Sequence, residues 1–164
     1  MIVPGNRFTL EGHNLVIVEV GHSDTDDTSV LHIPDLGLVV AGDVIYNGAH
    51  MYLGESVVVG GFEPWREAID RVEVLKLRRI VCGHQNKQLD DDAERTIAET
   101  RQYLDYADEL LRTEPTAIAF FDAMIERYPD HLARTVLWAS ANALYGVRDH
   151  PDGDVREIIL AGWL

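Results

Sequence analysis

Apolar and polar positions alternate in short runs through the first half of the chain and change period in the second. "RFTLE" (7–11) and "NLVIVEV" (14–20) are separated by Gly12 and His13 and read as a hairpin. In the second run Val16, Val18 and Val20 share one face, and Leu15 and Ile17 share the other. Both faces are apolar up to Glu19, which predicts a strand covered on both sides. "TSVLHI" (28–33) and "LGLVVAG" (36–42) are split by Pro34–Asp35, a turn signal. They predict a second hairpin with a buried return strand.

Helical spacing begins at "GFEPWREAIDRVEVL" (61–75). Pro64 suits a first turn, and Trp65, Ala68, Ile69, Val72 and Leu75 make one apolar face. "RRIVCG" (78–83) is a short strand. "DDDAERTIAETRQYLDYADELLR" (90–112) opens on acidic residues that favour a helix N-terminus, with Ile97, Leu104, Ala107 and Leu111 as its inner stripe. "PTAIAFFDAMIERYPD" (115–130) and "LARTVLWASANALYG" (132–146) predict two more helices, punctuated by Pro115 and by Pro129–Asp130. "VREIILAGWL" (155–164) fits a strand or a frayed helix equally well. The expectation is one α/β domain: strand-rich over 1–61, helix and strand over 62–84 with a β–α–β middle, and helical over 90–147.

Composition narrows the function classes. The chain has 164 residues, 46% hydrophobic and 26% charged, enough for one soluble domain with a real core. Its formal net charge of -14 argues against a nucleic-acid partner, because a phosphate backbone needs a cationic face. The single cysteine, Cys82, excludes an intrachain disulfide and reads as a small core residue at the end of a buried strand. The start "MIVPGNRF" lacks the pattern of a secretory leader, and no apolar run approaches a membrane span. The expected compartment is the cytoplasm, with no membrane partner.

Seven histidines are present, and two of them join an aspartate in a shared context. His22, Asp43 and His84 follow "VIVEVG", "GLVVAG" and "RRIVCG", each a strand that ends in glycine. Glycine lets the backbone turn tightly there. Three strands ending at one rim would bring imidazole and carboxylate together, a set suited to zinc, with iron or manganese as alternatives. The competing reading makes each an ordinary surface, hydrogen-bonded or capping residue.

"GHSDTDDTSVLHIPDLGLVVAGDVIYNGAHMYL" (21–53), with Trp65 and then "VCGH" (81–84), resembles the metallo-β-lactamase superfamily, in its broad hydrolase-like branch. "TIAETRQYLDYADELL", "MIERYPD" and "VLWASA" resemble the ends of such proteins, so the likeness covers nearly the whole chain. The resemblance implies that His22 binds a first metal, that Asp43 bridges two, and that His84 binds the second. It further implies a metal-bound hydroxide that attacks an ester, thioester, amide or phosphoester. One departure is large. The family's H-x-H-x-D-H motif, which precedes the "GH" histidine, is absent, and only His13 comes before His22. The chain resembles the C-terminal half alone.

Each metal position would then keep one histidine and a share of Asp43, where a catalytic zinc has three protein ligands. Asp24, Asp26 and Asp27 are expected to satisfy backbone amides in the turn after His22 rather than replace ligands. His50, in "YNGAH", is a candidate cleft residue, weighed against a plain solvent-facing position. The fold implied is half of an αββα sandwich: a mixed, mainly antiparallel sheet with helices on one face. Its other face would be apolar and bare, which implies a homodimer packed sheet on sheet. Two functions follow. One is a catalytically impaired, dimeric protein with a partial metal site, binding zinc weakly or no metal at all. The other is an active metal-dependent hydrolase of an unidentified small molecule, with its missing ligands supplied by another chain.

Overall fold

The period-2 runs form the strands they predict. In the computed structural model, which describes residues 4–146, β1 (Arg7–Leu10) and β2 (His13–Gly21) make the first hairpin. Its two-residue turn holds Glu11 at φ 49 and Gly12 at φ 87, the left-handed pair that matches the twist of the flanking strands. β3 (Thr28–Ile33) and β4 (Leu38–Gly42) make the second hairpin, joined by a 3₁₀ turn over Pro34–Leu36. β5 (Arg79–Cys82) completes one five-stranded sheet in the order β1-β2-β3-β4-β5. The first four strands are antiparallel; β5 lies parallel to β4, reached through α1 (Glu63–Glu73). A parallel neighbour requires such a crossover.

Cross-strand partners share a face, so the register sorts the side chains. Val18 pairs with Val30, and Val39 with Ile80. These residues join the core with Trp65 and Ile69 of α1. Ile17, Leu31, Val40 and Val81 form a row across the opposite face, flanked by Phe8 beside Leu15 and by Ile33 beside Leu38. None of these eight side chains belongs to the cluster that the helices bury. Leu15 and Ile33 are shielded, while Phe8 and Val40 stand open.

Two of the three helices of the last third start at capping residues. α2 (Ala93–Thr113) starts at Asp92, whose carboxylate accepts the Arg95 N–H at 2.8 Å. α3 (Ala117–Arg127) starts at Thr116, which accepts the Ala119 N–H. α4 (Arg134–Leu144) packs against α3. Leu110 rather than Leu111 is the buried leucine at the end of the α2 stripe. One segment departs from expectation. The first four strands end at Gly42, and residues 43–62 form an irregular loop with a 3₁₀ turn at Gly54–Val57. Every residue from Val44 to Met51 is nevertheless buried. Both readings offered for 155–164 lie outside the described residues, as does His150.

Candidate functional site

β2, β4 and β5 run in the same direction, because β3 is antiparallel to both β2 and β4 while β5 is parallel to β4. Their C-terminal ends therefore share one rim, and His22, Asp43 and His84 follow those ends. Gly42 sits at φ 56, where the pairing of β4 with β5 shifts register and the chain turns to present Asp43. Gly83 serves a different need. A Cβ there would come within 2.3 Å of Asp43 Oδ1, so the missing side chain is the space the carboxylate occupies.

The rim brings Asp43 and His84 into contact, with Nδ1 and Oδ1 2.8 Å apart. The His84 ring also stacks on Tyr46, 5.4 Å between centroids and 7° from parallel. His22 is held differently. Its Nδ1 lies 2.7 Å from Asp26 Oδ1, its side chain is 8% exposed, and its Nε2 is buried with no hydrogen-bond partner. Asp26 thus orients an imidazole instead of capping backbone amides as expected. Asp24 accepts the Ser23 hydroxyl. Burial raises its carboxyl above the ordinary value, and the nearby charge of Asp43 adds to the rise.

Asp24, Asp43 and His84 line one side of a cavity of about 310 Å³, with Tyr46 and Tyr52 beside them. Thr135, Val136 and Ala139 of α4 complete its lining. Sequence reading missed these three, because small residues on a helix carry no sign of what they face.

The loop after Asp43 is fixed by partners from four elements, as a buried backbone must be. Trp65 of α1 donates its indole N–H to the Val44 carbonyl at 2.9 Å. Thr100 of α2 exchanges hydrogen bonds with both backbone groups of Tyr46. Asn47 N–H donates to the His84 carbonyl, and Asn86 N–H donates to the Asn47 carbonyl. Ser140 of α4 accepts the Leu53 N–H and donates to the Met51 carbonyl.

His50 belongs to this anchoring and lines neither cleft nor solvent. It is 0% exposed, and its Nδ1 meets the Tyr103 hydroxyl at 3.0 Å. The loop it sits on is drawn into the core, which is why both surface readings fail. His13 opens β2 and bonds Asp35 across the sheet edge. Cys82 is buried, and burial pushes its thiol up to about 12, leaving it protonated.

The donor set does not fit a complete metal centre. Among the described residues no three His, Cys, Asp or Glu side chains form a group that could hold an ion. Among the described residues His22 is the histidine with one ring nitrogen fixed by a carboxylate and the other buried without a partner, the setting of a ligand. No helix of the described residues is long and apolar enough to cross a membrane.

No protein-family model and no curated protein matches the chain. Solved structures do. A metallo-β-lactamase family protein from Thermus thermophilus is similar at 16% identity and a TM-score of 0.55, over 87% of this chain and 46% of that one. A β-lactamase domain protein from Burkholderia ambifaria is similar at 18% identity and 0.53, over 92% and 49%. The stereoselective inverting sec-alkylsulfatase Pisa1 from Pseudomonas sp. is similar at 16% identity and 0.51, over 96% and 28%. The chain spans about half the length of the first two. At these identities the likeness is one of fold: the chain folds as a metallo-β-lactamase-type α/β unit about half as long as those two proteins.

Proposed function

We propose that the chain carries a partial metal site at His22, Asp43 and His84, binds zinc weakly, and is catalytically impaired on its own. The observation that supports this reading best is the buried, unpartnered Nε2 of His22, with Nδ1 already committed to Asp26. A buried imidazole nitrogen without a partner is costly unless something binds it. Asp43 and His84 stand at the same rim, yet no third donor converges on them. Two protein donors are too few for tight zinc binding.

The partner in this proposal is a second copy of the chain, packed through the apolar row Ile17, Leu31, Val40 and Val81. A second reading, an active hydrolase completed by another chain, is favoured by the cavity. Its volume of about 310 Å³ suits a small molecule.

Calorimetric titration of the full chain with zinc, alongside its mass in solution, separates the outcomes. The proposal expects weak, reversible binding to a dimer, reduced at least tenfold in both His22→Ala and His84→Ala. Two tightly held ions per chain would overturn it in favour of an active site. Equal zinc uptake by wild type and both variants would overturn the assignment of the residues.

A further inference from the structure

Behind the cavity lies a second histidine cluster with no role in the reading above. The buried His50 faces the half-buried His131, their ring centroids 5.4 Å apart. Tyr103 of α2 touches both: its hydroxyl meets His50 Nδ1 at 3.0 Å, and its ring lies 12° from parallel with His131 at 6.0 Å. Tyr128 closes the group, 4.8 Å from the His131 ring. The His50 Nε2 is buried and has no hydrogen-bond partner.

The backbone at this point ties two parts of the cavity together. His50 N–H donates to the Leu132 carbonyl at 2.9 Å, and Leu132 N–H donates to the Gly48 carbonyl at 3.0 Å. The loop on one side carries Asp43, Tyr46 and Tyr52; the segment on the other leads directly into α4, which carries Thr135, Val136 and Ala139. Farther along α4, Ser140 makes an independent attachment to Met51 and Leu53.

We infer that His50 and His131 form an uncharged joint holding the head of α4 to the site loop, and that acidification opens this joint and moves the part of the cavity lining that α4 supplies. Each group that faces the pair argues for it. Tyr103, from α2, offers only a hydroxyl that burial keeps protonated. Arg134, from the head of α4, adds positive charge, and each imidazole would add more. Tyr128 is likewise kept neutral by burial. Among the described residues Asp130 is the one anion that acts on the pair, and it acts on His131. A proton on His50 would therefore be a buried charge without a counter-charge, and with both ring nitrogens turned into donors only the one facing the Tyr103 hydroxyl would have an acceptor. In keeping with this, burial first and then His131 and Arg134 depress His50 to about 3, and burial depresses His131. Release at the joint leaves the Ser140 attachment in place, so α4 swings from its head instead of detaching.

The test is amide hydrogen exchange by NMR on the full chain from pH 7.5 to 5, corrected for the intrinsic pH dependence of exchange. Opening at the joint predicts that the His50 and Leu132 amides accelerate below about pH 6, approaching tenfold per pH unit for each proton taken up on opening. The Ile80 amide should stay more protected than Leu132 at every pH, and the Thr135, Val136 and Ala139 resonances should shift in step. His50→Asn keeps an acceptor for Tyr103 without a titrating ring. Combined with His131→Gln it should abolish the pH dependence at Leu132. A wild-type profile flat to pH 5 would overturn the joint, as would equal protection at Leu132 and Ile80, which would mean that both exchange only by global unfolding. The wild-type measurement decides the question even if the double variant does not fold.

Discussion

Asp43 occupies the space that Gly83 leaves by having no side chain, and this is the tightest constraint on the candidate site. Gly83→Ala places a methyl against the carboxylate, so the expected result is loss of the Asp43–His84 pair and a cost of about 1–3 kcal/mol. Urea unfolding measures the cost, and a crystal structure of the variant reads the Asp43–His84 distance. A pair still in contact there would show that Gly83 does not hold the carboxylate in place. The three strand-end residues were legible because each follows an apolar run and a glycine. The partners were not. Asp26 holds His22 from four residues away, in a turn whose acidic composition suits several arrangements equally. His50 meets Tyr103, which is 53 positions away, and nothing in "YNGAH" announces that contact.

At the scale of elements, the hairpins, α1 and the capped helices were all written in local periodicity and turn chemistry. The loop over 43–62 was not, because its backbone is satisfied by residues far along the chain: Thr100 for Tyr46, and Ser140 for Met51 and Leu53. Ser140→Ala should therefore destabilise the fold by about 1–3 kcal/mol, since it strands a buried N–H and a buried carbonyl. Trp65→Phe keeps most of the packing but leaves the Val44 carbonyl unpaired, and a similar loss is expected. Thermal unfolding of both variants checks these values. Because both anchors act on the same loop, the double variant should lose less or more than the sum of the two, whereas strict additivity would argue that the loop is not one unit.

Two predictions concern the whole molecule. His50 and His131 have folded-state values below their unfolded ones, so their contribution to stability is complete above about pH 6.5. It is lost as pH falls from there toward the depressed values, because the unfolded chain takes up protons that the folded chain refuses. Asp24, raised on folding, acts in the opposite sense at lower pH: its contribution is present while it is protonated and lost as pH rises through its folded value. Urea midpoints measured from pH 7.5 to 5 should fall, and a flatter decline in His50→Asn would assign the effect. The second prediction is that Val40→Glu, at the open centre of the outer apolar row, halves the mass of the proposed dimer in light scattering. The sequence by itself determined the elements, their faces and the strand-end placement of His22, Asp43 and His84, because periodicity, turns and caps act over a few residues. Only the tertiary structure decided that Asp43 and His84 meet while His22 turns to Asp26, that α4 walls the cavity, and that His50 is core. Those outcomes depend on contacts between residues far apart in the chain, where local pattern carries no information about which partner a side chain will find.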